Sequence, residues 1–349
     1  MNRDQPSINS DLESEDNIES DYLSEKYILL KDLKKYTFSP GTIKWKEKLT
    51  LARPGDLLNH QYFVKFEKVT DRVYCDFVFR PWNISKLKQL FSEFKLAKSL
   101  STKQRYRIKL LKMFRDIYWT GEKEGALAEI MEAAYEEFYQ LDSNLSEELK
   151  SSNEDIFRTC SFKAGMAVIL AIGIGIVDYK SLQEIYHLPY FFYSGIMKTL
   201  SFKHVLALSA EWKGEGTVTA NLNKIKASKQ EIDLYLKNHT DSLEKYLKFC
   251  KDRGVSDSYK SVLQKSHERS KGNGGPKGLL WNELSDLENV LIFVCENFGI
   301  EDVNPTENDL KIPFSKTFLE TLHINPRLKN IIEVAFDDLD KSEKLLMSA

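Results

Sequence analysis

Of the six histidines in the chain, two stand where their surroundings suggest chemistry. His239 lies in Lys237-Asn-His-Thr240, downstream of Ser228-Lys-Gln-Glu231, whose serine and glutamate have the spacing of a capping-box helix start. That places His239 in mid-helix. His267 ends an apolar helical stretch and opens Ser266-His-Glu-Arg-Ser-Lys-Gly-Asn-Gly-Gly-Pro-Lys-Gly-Leu279. Neutral imidazole is the commonest protein donor to first-row metals, so both are candidate ligands; the alternative is an ordinary surface or core histidine. The glycine-rich stretch offers a second chemistry. Gly272, Gly274, Gly275, Pro276 and their neighbours would present backbone amides to a phosphate, with Arg269, Lys271 and Lys277 supplying charge. The alternative is a structural turn that joins two helices. The stretch is not a P-loop, because no Gly-Lys-Ser/Thr follows at the required spacing. Gly173-Ile-Gly175 lacks the third glycine and the preceding strand of a dinucleotide fingerprint.

The elements that must position these residues fall into two kinds. From Tyr27 to Phe79 the chain is rich in strand formers: Thr42-Ile-Lys-Trp-Lys46, Gln61-Tyr-Phe-Val-Lys-Phe-Glu-Lys68 and Arg72-Val-Tyr-Cys-Asp-Phe-Val-Phe79. The last two flank Val69-Thr70-Asp71 and predict an antiparallel hairpin. After Pro81-Trp82-Asn83 the pattern turns helical, with Leu87, Leu90, Phe91 and Phe94 at helical spacing. Arg105–Tyr118 reads as a basic amphipathic helix and Glu122–Tyr139 as an acidic, alanine-rich one, their opposed charges on solvated faces; the alternative is that the basic helix binds lipid or nucleic acid. Further helices are expected at Phe162–Val177, Tyr179–Tyr186, Lys229–Cys250, Ser256–His267, Leu284–Asn297 and Pro326–Phe336, with loops at Lys213–Asn223 and Lys271–Gly278. No internal repeat is visible.

Composition narrows the function classes. With 349 residues, 42% hydrophobic and 12% aromatic, the chain can build sizeable cores, which excludes wholesale disorder. Fifty basic against 52 acidic residues argue against a general nucleic-acid binder. Four cysteines without a CxxC pair exclude a disulfide scaffold and a zinc ribbon, and fit a reducing, cytoplasmic compartment. Residues 1–25 hold eight acids and a single base, Arg3, and read as a disordered acidic leader rather than a signal peptide. The longest apolar run, Ala164–Val177, is 14 residues, short of the roughly 20 a membrane span requires. No membrane span is expected.

Ser266–Leu279 resembles the signature of the HD-GYP family of bacterial cyclic-di-GMP phosphodiesterases. In that family two histidines precede Glu-Arg, and a loop then reads Gly-x-Gly-Tyr-Pro-x-Gly-Leu. This chain has His267-Glu268-Arg269 and Gly272-Asn-Gly-Gly-Pro-Lys-Gly-Leu279. Ala227–His239 upstream, and Leu287-Glu288, Val290–Glu296 and Asn325–Phe336 downstream, are similar to further family segments in the same order. The likeness covers about residues 154–338. It implies an all-α domain and metal-assisted phosphodiester hydrolysis on a cluster of two or three iron or manganese ions.

The family's ligands, carried over position by position, are largely missing. Its first histidine aligns with Cys160, and a glutamate four residues earlier with Ile156. The His-Asp pair that names the family falls in Phe192–Lys198, where neither ligand occurs in any nearby register; His204 lies further on. The middle histidine matches His239. Of the histidine pair only His267 remains, beside Ser266. The last aspartate aligns with Glu296, or with Cys295 in the ungapped register, and the signature tyrosine with Gly275. Losing the bridging aspartate removes the group that holds such ions together. The resemblance leaves Cys160, His239, His267 and Glu296 as a residual set suited to a single zinc, or as remnants with Cys160 and Cys295 as buried thiols.

The sequence therefore predicts an α+β chain: leader 1–25, a β-rich regulatory or sensory module 26–95, bridging helices 96–150, a degenerate HD-GYP-like helical domain 151–340, and a tail 341–349. The function it implies is non-catalytic, with no cofactor. Cyclic-di-GMP or a diguanylate-cyclase-type protein would bind through Arg269, Lys271, Gly272, Gly274, Gly275, Pro276 and Lys277. The alternatives are a phosphodiesterase on a reduced iron, manganese or zinc site, and a helical scaffold with no nucleotide role.

Overall fold

The structure is a computed structural model. It describes residues 27–46, 48–58, 60–77, 81–120, 123–141, 143–197, 203, 207, 216–252, 258–265, 267–275, 277–297 and 325–330. The leader, the tail, His204, Ser266, Pro276 and the side chains of Tyr193 and His239 lie outside the described residues.

The chain opens with β1 (Tyr27–Leu29), a single turn α1 (Leu30–Leu33), β2 (Gly41–Trp45), β3 (Leu49–Ala52), α2 (His60–Glu67) and β4 (Arg72–Phe77). The four strands form one antiparallel sheet in the order β1-β4-β2-β3. Ile28, Ile43, Ala52, Val73 and Cys75 pack from the strands against Leu30, Leu33, Leu58 and Phe63 as one small core. Helices follow, so the α+β class holds.

One expected strand is a helix. Gln61–Lys68 does not pair with Arg72–Phe79 in a hairpin; His60–Glu67 is α2, and β4 pairs with β1 and β2 instead. Short aromatic runs satisfy either period, and packing decides between them. Phe63 and Phe66, one helical turn apart, face inward: Phe63 is buried, and the Phe66 ring lies 5.4 Å from that of Trp45. Val64, which a strand would place on the Phe66 side, is exposed.

The helical part comprises α3 (Pro81–Leu96), α4 (Leu100–Thr120), α5 (Lys123–Phe138), α6 (Ser143–Ser152), α7 (Glu154–Gly173), α8 (Tyr179–Met197), α9 (Val218–Lys224), α10 (Lys229–Asp252), α11 (Ser258–Gln264) and α12 (Asp286–Asn297), with residues 326–330 also helical. The expected loop at Lys213–Asn223 gives way to α9 in its second half. Thr217 caps that helix by accepting the Ala220 amide, and Val218 and Leu222, one turn apart, are buried.

Helix α7 is the hub, packed by α4, α5, α6, α8 and α12. Asn153 caps it by accepting the Ile156 amide, and Glu154 and Asp155 in its first turn complement the helix dipole. Every residue from Ile156 to Gly173 is buried. This helix has the length and apolarity to cross a membrane, yet it lies wholly inside the fold. It stops at Gly173, four residues before the expected end, where Gly175 adopts a left-handed φ of 101°.

Two polar ties, from Glu132 and Arg158, join the sheet module to the helices, and a third, from Asn83, joins α3 to α5. Glu132 of α5 is buried, and its two carboxylate oxygens accept the amides of Thr37 (2.8 Å) and Phe38 (2.9 Å). Asn83 donates to Glu129 at 2.8 Å. Asp56 pairs with the buried guanidinium of Arg158.

Candidate functional site

The glycine-rich segment connects α11 to α12, and Glu268 organises it. This glutamate is fully buried; Oε1 accepts the Lys277 amide and Oε2 the Leu279 amide, both at 2.8 Å. One side chain thus fixes the whole return of the loop. The Gly272 amide donates to Arg269 O and the Gly275 amide to His267 O, each at 2.8 Å. Lys271 bridges Leu280 as an isolated antiparallel pair, and the Leu280 amide donates to Glu283 at 2.9 Å.

Close approach explains one of the glycines outright. A Cβ on Gly274 would lie 2.4 Å from both Arg269 N and His267 O, which no side chain tolerates. Position 275 is the opposite: a Cβ there meets nothing within 4 Å. The place aligned with the family's tyrosine is therefore open space.

These contacts change what the loop can offer a ligand. The amides of Gly272, Gly275, Lys277, Leu279 and Leu280 all donate to acceptors within the segment. They are not directed outward as an anion-binding nest would require. Arg269 is buried as well, with Nη1 donating to Glu268 O at 2.5 Å, so it supports the loop from inside. Lys271 and Lys277 are exposed and carry the outward charge.

The residual ligand set divides among separate partners. Cys160 is fully buried in α7, its thiol pushed up by burial, and it donates to Pro189 O at 3.6 Å. Lys163, one turn on and equally buried, donates to Cys295 O at 3.4 Å. Glu296 accepts the Ser270 amide at 2.9 Å and the Ser270 hydroxyl at 3.0 Å. Burial raises the Glu296 carboxyl, against the lowering effect of the Ser270 donors and the Arg269 charge. His267 is half-buried at the start of the loop. His239 sits in the middle of α10, as expected, with its side chain outside the described residues. Among the described residues no three of His, Cys, Asp or Glu are grouped to hold a metal ion.

Beside the loop lies an open cleft of 530 Å³, lined by Ser261, Val262, Lys265, Glu283, Leu287 and Glu288. Lys265 and Ser261 both donate to Glu288, at 2.8 and 3.1 Å. Burial opposes ionisation of Glu288, but Lys265 and the Ser285 donors outweigh it and hold the carboxyl below its usual range. The structural role of Glu268 was not evident from its sequence position. Its only signal was membership of the His267-Glu268-Arg269 triplet.

No protein-family model, curated protein or solved structure matches the chain.

Proposed function

We propose that the chain is a cytoplasmic, non-catalytic signalling protein of HD-GYP type. It engages cyclic-di-GMP or a signalling partner through the face of the 269–278 loop, without hydrolysis. The observation that carries this reading is the loop itself. Its turn is held by Glu268 and by glycine at 274, while Cys160 and Glu296 of the aligned ligand set make other contacts, with Pro189 O and Ser270. Because the inner amides are spent and the charged Lys271 and Lys277 are exposed, a protein partner of diguanylate-cyclase type is favoured over a nucleotide cradled by backbone.

The test is direct binding on the full chain. Calorimetry with cyclic-di-GMP and interferometry with a diguanylate cyclase domain should show partner binding that weakens ~10-fold, about 1.4 kcal/mol, when Lys271 and Lys277 are both changed to Glu. Hydrolysis of cyclic-di-GMP in the presence of manganese or iron, abolished by His267→Ala, would overturn the reading in favour of a phosphodiesterase. Absence of both binding events would leave a helical scaffold with no nucleotide role.

A further inference from the structure

A second cavity, remote in sequence from the loop, lies where the sheet meets the start of α7. It measures 330 Å³ and is lined by Leu51, Ala52, Arg53, Asp56, Leu57, Glu154, Asp155 and Arg158. That volume is at the small end of the ~300–1,000 Å³ typical of ligand pockets, and corresponds to about ten waters. Its lining carries both signs of charge at close quarters. Arg158 is only 5% exposed, and its guanidinium is already oriented by Asp56 and, at 3.4 Å, by Asp155. Asp56 is held in turn by the Arg53 amide, which donates to it at 2.7 Å.

The charge pattern selects the ligand. A simple anion placed here would face Asp56, Glu154 and Asp155; a simple cation would face Arg53 and Arg158. A small molecule carrying one charge of each sign meets attraction from both sets. A guanidinium has five N–H donors in a planar fork, so Arg158 can donate to more than one carboxylate at once, as it does to Asp56 and Asp155. We propose that this cavity is a binding site for a small zwitterion of the α-amino acid class. Its carboxylate lies between Arg53 and Arg158, its ammonium faces Glu154 and Asp155, and its side chain rests against Leu51, Ala52 and Leu57.

The site spans two parts of the fold, with β3 and the following turn on one side and the first turns of α7 on the other. Occupancy therefore draws the sheet module and the central helix together, and the bound state is the more stable one. This inference is independent of the loop and of the proposed function.

The experiment is thermal unfolding of the full chain with each of the twenty L-amino acids at about 10 mM, alongside acetate and methylammonium, which each carry one of the two charges. At least one amino acid should raise the melting temperature by about 3 °C, with no comparable effect from either single-charge control. The shift should disappear in Arg53→Gln and in Asp155→Asn, two exposed positions whose replacement leaves the core intact. No response to any amino acid overturns the proposal. So does an equal response to acetate or methylammonium, or a shift that survives both substitutions.

Discussion

Arg107 closes the open end of the central helix: its Nε donates to Ile172 O at 2.7 Å and its Nη2 to Gly173 O at 2.5 Å. The last carbonyls of a helix have no partner within it and carry the negative end of its dipole. Arg107 is 2% exposed, so it supplies both the missing donors and the compensating charge in a place water cannot reach. Arg327 assists from the outside, donating to Ile174 O at 2.6 Å and pairing with Asp286 at 3.0 Å.

Replacing Arg107 by Met should therefore destabilise the fold by about 3 kcal/mol, because buried carbonyls are left unpaired. Arg327→Ala, at a half-exposed position, should cost about 1 kcal/mol or less. Urea midpoints of the two variants give the comparison. Equal losses would show that the buried arginine does not act as the helix terminus.

Glu268→Gln tests the loop's central contact. A carboxylate accepts both amides, but a carboxamide offers one acceptor and turns an N–H toward the other donor. The Lys277 and Leu279 amides should exchange with solvent at least ~10-fold faster in the variant, a local loss of about 1.4 kcal/mol or more. Unchanged protection at both amides would remove Glu268 from its assigned role.

Two neighbouring glycines should behave in opposite ways. Gly274→Ala forces a Cβ into the backbone of residues 267–269 and should cost about 3 kcal/mol or prevent folding. Gly275→Ala, and even Gly275→Tyr, should stay within about 0.5 kcal/mol of the parent, since the space beyond that position is open. Thermal melts of the variants decide between this and a loop with no steric preference.

Glu132 makes stability depend on pH. Burial is the largest influence on its carboxyl; the Thr37 and Phe38 amides oppose it, and the neighbouring Glu136 adds to it, leaving the group at about 8 against an ordinary 4.5. Tyr135 and Tyr186 also face it, and Lys88 pairs with the neighbouring Glu136. The folded chain thus holds a proton that the unfolded chain has released between those two values. Folding stability should fall as pH rises from about 4.5 to 8, by a few kcal/mol from this group. Glu132→Gln should flatten that slope in urea titrations at pH 5, 6.5 and 8. A slope unchanged by the substitution would assign the effect to other groups.

What could be read along the chain was set by contacts between near neighbours. The period of apolar residues located α3 through α5 and α10, and the serine–glutamate spacing at 228–231 marked the start of α10, where Glu231 does reach back to the Ser228 amide at 2.7 Å. Clustered glycines located the turn before α12. The α+β order of sheet then helices follows from the same local patterns. What the tertiary structure decided were the choices that local pattern leaves degenerate. Gln61–Lys68 satisfies both periods, and the packing of Phe63 in the small core and of Phe66 beside Trp45 selects the helix. Arg107 looks like one more base on a solvated face until α7 ends beside it, 65 residues away in sequence. Glu132 and Phe38 are separated by 94 residues and meet in the core. Two of the amides that the sequence offers to a phosphate, those of Lys277 and Leu279, donate instead to a buried glutamate whose reach no linear spacing reveals. Local spacing specifies which elements form, because it governs energies within a turn or a strand. The partners of charged and polar groups depend on which surfaces those elements bury together, and that is settled only when the chain packs.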